Sequence, residues 1–263
     1  MFIVWGKKRI ERKQGLVADF CPICREIRAF ALIRVGLADH IYYVSFGQGK
    51  LAGYIIRCDT CGVALRVEPS RFTMAEKDPG AELETLIQRT FPRLRETLAG
   101  RLELEQRIKR SRSAVVGEKY RELIMEPFVV LNPAVERRFA ASTQMDKQSG
   151  IGCVGTIILG AGLFFGSLAF RGPTQDRILI TAAIIAGIGI IYTFVQLHLA
   201  PKRFSRAHVL PSLVKCLRPL QPTRQDLADC LERCKTLGLK IGQVVKVDEL
   251  WAPLERQIAG FDT

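Results

Sequence analysis

Histidine is almost missing from this chain: His40, His198 and His208 are the only three in 263 residues. That scarcity removes the commonest general base and the commonest neutral metal ligand. No P-loop, no GxSxG elbow and no HExxH pair occurs either. The chain is therefore read as non-enzymatic, with no catalytic and no small-molecule cofactor residue assigned. Charge is missing from two long blocks, Ile151–Phe170 and Ile178–Leu197. Each is about 20 residues, which at roughly 1.5 Å per residue spans the roughly 30 Å hydrocarbon layer of a bilayer. Both read as transmembrane helices, against the plainer alternative of an apolar hairpin inside a soluble core. With no Asp, Glu, Lys, Arg or His inside either block, a transporter, pump or intramembrane enzyme is disfavoured.

Acidic residues are in the minority, 26 against 39 basic ones, for a net charge of +13. Such an excess suits an anionic lipid surface or nucleic acid, and charge by itself does not choose between them. Arg137, Arg138 and Lys147 precede the first block, and Lys202, Arg203 and Arg206 follow the second. The turn between holds Arg171 and Arg177, offset in part by Asp176. The positive-inside rule then puts both termini in the cytoplasm and the turn outside. A secretory leader is not expected, because the apolar start is too short and Lys7, Lys8 and Arg9 come after it. The expected location is a bacterial cytoplasmic membrane, with the first 150 residues on the side of synthesis.

What the chain does have is cysteine, eight in all. Cys21 and Cys24 form a CPIC pair, and Cys58 and Cys61 a CDTCG pair. In a reducing compartment structural disulfides are rare, and two C-x2-C pairs read as one zinc site. Two intervening residues let a tight turn aim both sulfurs at one ion. Four thiolates close a tetrahedral site and leave no position for water, so the single zinc is expected to be structural. Gly62 after the second pair can take the left-handed conformation such turns favour, whereas Arg25 holds that place in the first. The pairs are 33 residues apart, more than the about 15–20 of the commonest signature. The interval reads as strands: Ile27–Val35, Ile41–Phe46, and Tyr54–Arg57 after the turn residues Gly47–Lys50. Each pair thus sits at a strand tip. Other uses of the same sulfurs stay open: a C-P-x-C redox motif, two disulfides, or a rubredoxin-like iron site.

Trp5-Gly-Lys-Lys, the basic run behind it, Gly15-Leu-Val before CPIC, and a CxxCG following an aromatic strand resemble a small bacterial zinc-ribbon family, often membrane-anchored. The resemblance covers roughly residues 1–68. It implies Cys21, Cys24, Cys58 and Cys61 as metal ligands and implies no reaction.

The remaining cysteines read as packing residues. Cys153 lies in the first apolar block. Cys230 and Cys234 are spaced i, i+4, but Leu227, Leu231 and Leu237 share their face. His40 reads as a surface or packing residue. From Pro79 the pattern turns helical, with Leu83, Leu86, Ile87, Leu94, Leu98, Leu102 and Ile108 broken at Pro92. A second helix is expected to stop before Pro127, and a short one to start at Asn132-Pro133. In the apolar blocks Gly162 with Gly166, and Ala183 with Gly187, are candidate close-contact pairs, within the hairpin or between copies as a homo-oligomer. In the tail Thr223 and Asp226 resemble a capping box, Gly238 ends that helix, and Asp248 caps another.

These readings add up to a multidomain α+β membrane protein. A zinc ribbon (1–70) is followed by a cytoplasmic helical segment (79–147), a transmembrane hairpin (150–199) and a cytoplasmic helical domain (201–263). The expected role is a non-catalytic adaptor on the cytoplasmic face, with the lipid bilayer and a protein as partners. The alternative is a membrane-tethered nucleic-acid binder using Lys7, Lys8, Arg9, Arg12 and Lys13, with Tyr42 and Tyr43 stacking on bases.

Overall fold

The structure, a computed structural model, describes residues 5–41, 44–45, 47, 49–110, 117–140, 147–167 and 173–259. Tyr42, Tyr43 and residues 171–172 of the expected 171–177 turn lie outside the described residues, and the rest of that turn is helical, at the start of the helix Pro173–Phe204. The chain divides into two compact units. One comprises Met1–Val130, Ser212–Cys230 and Leu250–Thr263; the other comprises Leu131–Pro211 and Leu231–Glu249.

The first unit is built on an antiparallel sheet. Strands β1 (Trp5–Cys21), β2 (Glu26–Ile41), β4 (Lys50–Cys58) and β5 (Ala64–Val67) lie in that order, and the two-residue β3 (Val44–Ser45) adds to β2. The basic run is the outer half of β1, which pairs with β2 from Trp5↔Ile41 down to Cys21↔Glu26. Arg9, Arg12 and Lys13 are exposed there, and charges along an edge strand discourage pairing with another chain. Nearer the cysteines the same edge is covered. Leu16 exchanges backbone hydrogen bonds with Glu76 at 2.6 and 2.9 Å, and the Ala18 N–H donates to Thr90 Oγ1 at 3.0 Å. Gly15 permits that approach, since a Cβ there would lie 2.6 Å from the Glu76 carbonyl oxygen.

Helices α1 (Leu83–Thr90), α2 (Leu94–Thr97) and α3 (Ala99–Arg110) follow, with the expected break at Pro92. Leu86, Ile87 and Leu94 pack with Leu16 and Ala18 into a core on one sheet face, while Ile33, Val35 and Ile55 form a separate cluster. Burial of such apolar area, at about 25 cal/mol per Å², holds the helices to the sheet.

Helix α4 (Glu118–Ala140) corrects the sequence reading, because it runs unbroken through Pro127 and Pro133. A proline inside a helix costs about 3 kcal/mol. Leu123, Ile124, Phe128, Leu131 and Val135 form one buried stripe across both prolines, and that burial outweighs the propensity penalty. Asn132 caps no helix of its own. Its Oδ1 accepts the N–H of Ile241 at 3.1 Å, at the start of the short helix α9 (Ile241–Val244).

Helices α5 (Lys147–Ser167) and α6 (Pro173–Phe204) pack side by side. Among the described residues one helical stretch, Leu179–Leu220, is long and apolar enough to cross a membrane, where two spans were expected. The second apolar helix, expected over 178–197, extends to Phe204 and includes Pro201. It passes through a π turn (Ser205–Val209), in which Leu210 N–H bonds Ser205 O, into α7 (Leu210–Leu217). Pro211 accounts for the wide turn, because its ring would clash with the carbonyl four residues back in an ordinary α-helix. The glycine contacts also differ from expectation. Among the described residues nothing lies within 4 Å of a Cβ at Gly162, Gly166 or Gly187, whereas a Cβ at Gly189 would fall inside the Thr156 side chain. The close approach of α5 and α6 is therefore at Gly189.

Helices α8 (Arg224–Thr236) and α10 (Val247–Ala259) complete the chain. The capping box is as expected: Thr223 N–H donates to Asp226 Oδ2 at 2.8 Å, and Asp226 N–H to Thr223 Oγ1 at 3.1 Å. Gly238 ends the helix region with φ 71°.

Candidate metal centre

Because β2 runs antiparallel to both β1 and β4, the β1–β2 and β4–β5 turns emerge at one end of the sheet. The register Phe30↔Cys58 sets them side by side. Cys21, Cys24, Cys58 and Cys61 meet there, their sulfurs all within 4.8 Å of one another. The Cys21 and Cys61 Sγ atoms are 3.5 Å apart. Sulfurs at about 2.3 Å around a tetrahedral ion are about 3.8 Å from each other, and the observed spacings bracket that value. A disulfide needs about 2.05 Å, and all four cysteines are free.

Backbone amides converge on these sulfurs. Cys24 N–H donates to Cys21 Sγ at 3.4 Å, Thr60 and Cys61 N–H groups donate to Cys58 Sγ, and Val63 N–H donates to Cys61 Sγ. Such donors favour thiolate. Hydrogen bonds from Cys21 and then Cys61 hold the Cys58 thiol far below the ordinary range. Cys21 is pushed far above it by its hydrogen bonds to Cys58 and Cys61, and by burial. At Cys61 the bond with Cys21 pulls downward, but Cys58 and burial outweigh it, for a net rise. A divalent cation bound here would displace the thiol protons, since the thiolate is the ligand. The donor set fits a metal ion held in a zinc-ribbon-like site.

The two turns carry the same backbone signature. Gly62 has φ 72° and Arg25 has φ 59°, each directly after the second cysteine of its pair. For arginine that conformation costs about 1–2 kcal/mol. Its N–H donates to Cys21 O at 2.7 Å. Its Nε donates to Glu105 Oε2 on α3, also at 2.7 Å, with the two side chains only 3% and 5% exposed. Glu105 also accepts from Arg101 Nε at 2.9 Å, and Arg101 bridges to Glu126 and lies 4.8 Å over the Phe20 ring. The Arg25 Nη1 and Nη2 atoms are buried and find no nitrogen or oxygen partner among the described residues. Beside them is Cys216 of α7, whose Sγ donates to the Pro22 carbonyl at 3.2 Å. Burial pushes that thiol up to about 12, against the lowering influence of Arg25.

Arg25, Glu105 and Cys216 were not legible as a group. The one sequence signal was an arginine standing where the second pair has glycine. Cys230 and Cys234 are buried, Cys230 against Met125 Sδ at 3.5 Å and Cys234 under Gly242, where an added Cβ would lie 2.9 Å from the Cys234 Cβ. Among the described residues they belong to no metal-binding group. The backbones of His40 and Cys153 lie in β2 and α5, and their side chains are outside the described set.

Comparison of the chain with family models, with curated proteins and with solved structures finds no match in any of the three.

Proposed function

We propose that this chain is a membrane-anchored zinc-ribbon protein whose ribbon serves as a non-catalytic recognition module on the cytoplasmic face. The four-sulfur cluster at two neighbouring strand tips carries the reading. Zinc is the ion proposed, one per chain, ligated by Cys21, Cys24, Cys58 and Cys61. When bound it supplies a cross-link between the two turns; with four sulfur ligands it offers no open position to a substrate.

The anchor proposed is α6, which lies in the one described stretch long and apolar enough to cross a membrane, with α5 packed beside it. Its support is the outward apolar surface: Ile157, Ile158, Leu159, Phe165, Ile184, Ile188, Ile191 and Phe194 are all exposed. Exposed apolar patches of this extent in water mark a contact with lipid or another protein. The basic run of β1 is partly engaged, with Glu11 between Arg9 and Arg57 and Arg12 donating to the Gly47 carbonyl. That favours a protein partner over a phosphate backbone.

Metal analysis of the full chain, purified in detergent, tests the site. One zinc per chain, lost in the Cys58→Ser, Cys61→Ser double variant, is the expected result; a full complement of zinc in the variant refutes the ligand set. Alkaline extraction tests the anchor, since a chain released from membranes by carbonate does not span them. Affinity capture with and without the double substitution tests the adaptor role, and an unchanged set of bound proteins would sink it.

A further inference from the structure

We infer that the first cysteine turn is an internal docking surface, shaped by the metal, whose occupants are the chain's own helices α3 and α7. This rests on the zinc reading above and adds a consequence for it: metal occupancy decides whether those helices are seated. Contacts on every side of the turn carry the inference. Before it, Phe20 is covered by the Arg101 guanidinium of α3 at 4.8 Å. Within it, the Pro22 carbonyl receives the Cys216 thiol of α7 at 3.2 Å. At its end, Arg25 pairs with Glu105 of α3 at 2.7 Å. After it, Glu26 pairs with Lys109 of α3 at 3.0 Å. The second turn differs, with Asp59, Thr60 and Gly62 exposed.

The physical link is the left-handed Arg25. In that conformation its side chain enters the interior, where a guanidinium without a carboxylate is strongly disfavoured. The turn keeps this shape while Cys21 and Cys24 are tied to one ion, and Glu105 is in reach only while α3 is seated. Each arrangement therefore stabilises the other. Without the ion, the turn has less to hold Arg25 left-handed, the buried pair opens, and the Pro22 carbonyl that Cys216 binds is displaced. Because α7 follows α6 directly through the π turn, the metal state is transmitted to the residues that immediately follow the apolar helix.

Hydrogen exchange of the full chain in detergent tests this, with zinc content measured on the same samples before and after chelation. Zinc removal is expected to raise exchange in 99–110 and 212–217 by about tenfold or more, with α1 changing far less. Arg25→Gly, which tolerates the left-handed backbone but lacks the ion pair, should keep its zinc and show the same rise. Asp59→Ala in the second turn should show none. Zinc lost without a change in 212–217 overturns the docking inference and leaves the zinc reading standing. An equal rise in α1 also overturns it, because that reports unfolding of the sheet rather than undocking. A chain that binds no zinc overturns both.

Discussion

Residues 21–25 and 58–62 share a Cys-x-x-Cys plan and a left-handed fifth residue, at φ 59° for Arg25 and φ 72° for Gly62, yet their surroundings are opposite. Cys21, Pro22, Ile23 and Arg25 are buried beneath helices, whereas Asp59, Thr60 and Gly62 stand in solvent. The demand made by a metal ion is the same on both turns, because sulfur placement requires one backbone shape. What differs is the task of the fifth residue. Where nothing surrounds it, glycine meets the backbone requirement with least strain. Where α3 must be held, arginine accepts strain of about 1–2 kcal/mol and gains a buried ion pair.

The largest expected effect removes what the turns have in common. Replacing either Cys21 or Cys58 with serine should abolish stoichiometric zinc and unfold both turns together, given the about 10–16 kcal/mol that structural zinc binding contributes in zinc-finger peptides. Survival of one turn by hydrogen exchange would show that the two are independent. Next, Arg25→Ala should destabilise the metal-loaded chain by about 2–3 kcal/mol in denaturant titrations, since buried Glu105 loses one of its two cationic partners and keeps only Arg101. A cost below about 1 kcal/mol would remove the distinction between the turns. Gly62→Ala comes third, at about 1–2 kcal/mol, because only backbone strain is involved and no atom lies within 4 Å of the new Cβ. A cost as large as that of Arg25→Ala would mean the second turn is also packed.

The smallest effect concerns Glu26 at the edge of the buried turn. A hydrogen bond from Lys109 is the leading reason its carboxyl lies below the ordinary range, against a smaller opposing effect of burial. The unfolded chain then binds this proton more tightly than the folded one. The stabilisation is complete above the ordinary carboxylate pKa and disappears as pH falls through the lowered folded value. With side chains 42% and 56% exposed the pair is screened, so Glu26→Gln should cost about 0–1 kcal/mol at neutral pH. That difference should vanish in acid. A difference that grows on acidification would reverse the sign assigned to Glu26.

Much of this was readable from local pattern. The cysteine spacing, the strand tips at Cys21 and Cys58, the break at Pro92 and the Thr223–Asp226 capping box all depend on neighbours within a few residues. Two readings based on proline failed at Pro127 and Pro133, where local propensity argued for an end and a new start and one helix continues. At Pro127 a buried apolar stripe outweighs the local cost, and the sequence window around a proline does not contain that term.

The sequence by itself determined the four sulfur donors, the long uncharged stretches and the excess of positive charge, because each is a property of composition and short-range order. Only the tertiary structure decided that the basic lead-in is a strand, that Gly189 rather than Gly162 or Gly187 is where α5 and α6 meet, and that Arg25 is turned inward. These depend on groups far apart in the chain, Glu105 and Cys216 above all, whose energies of pairing and burial exist only once folding has brought them to the same cysteine turn.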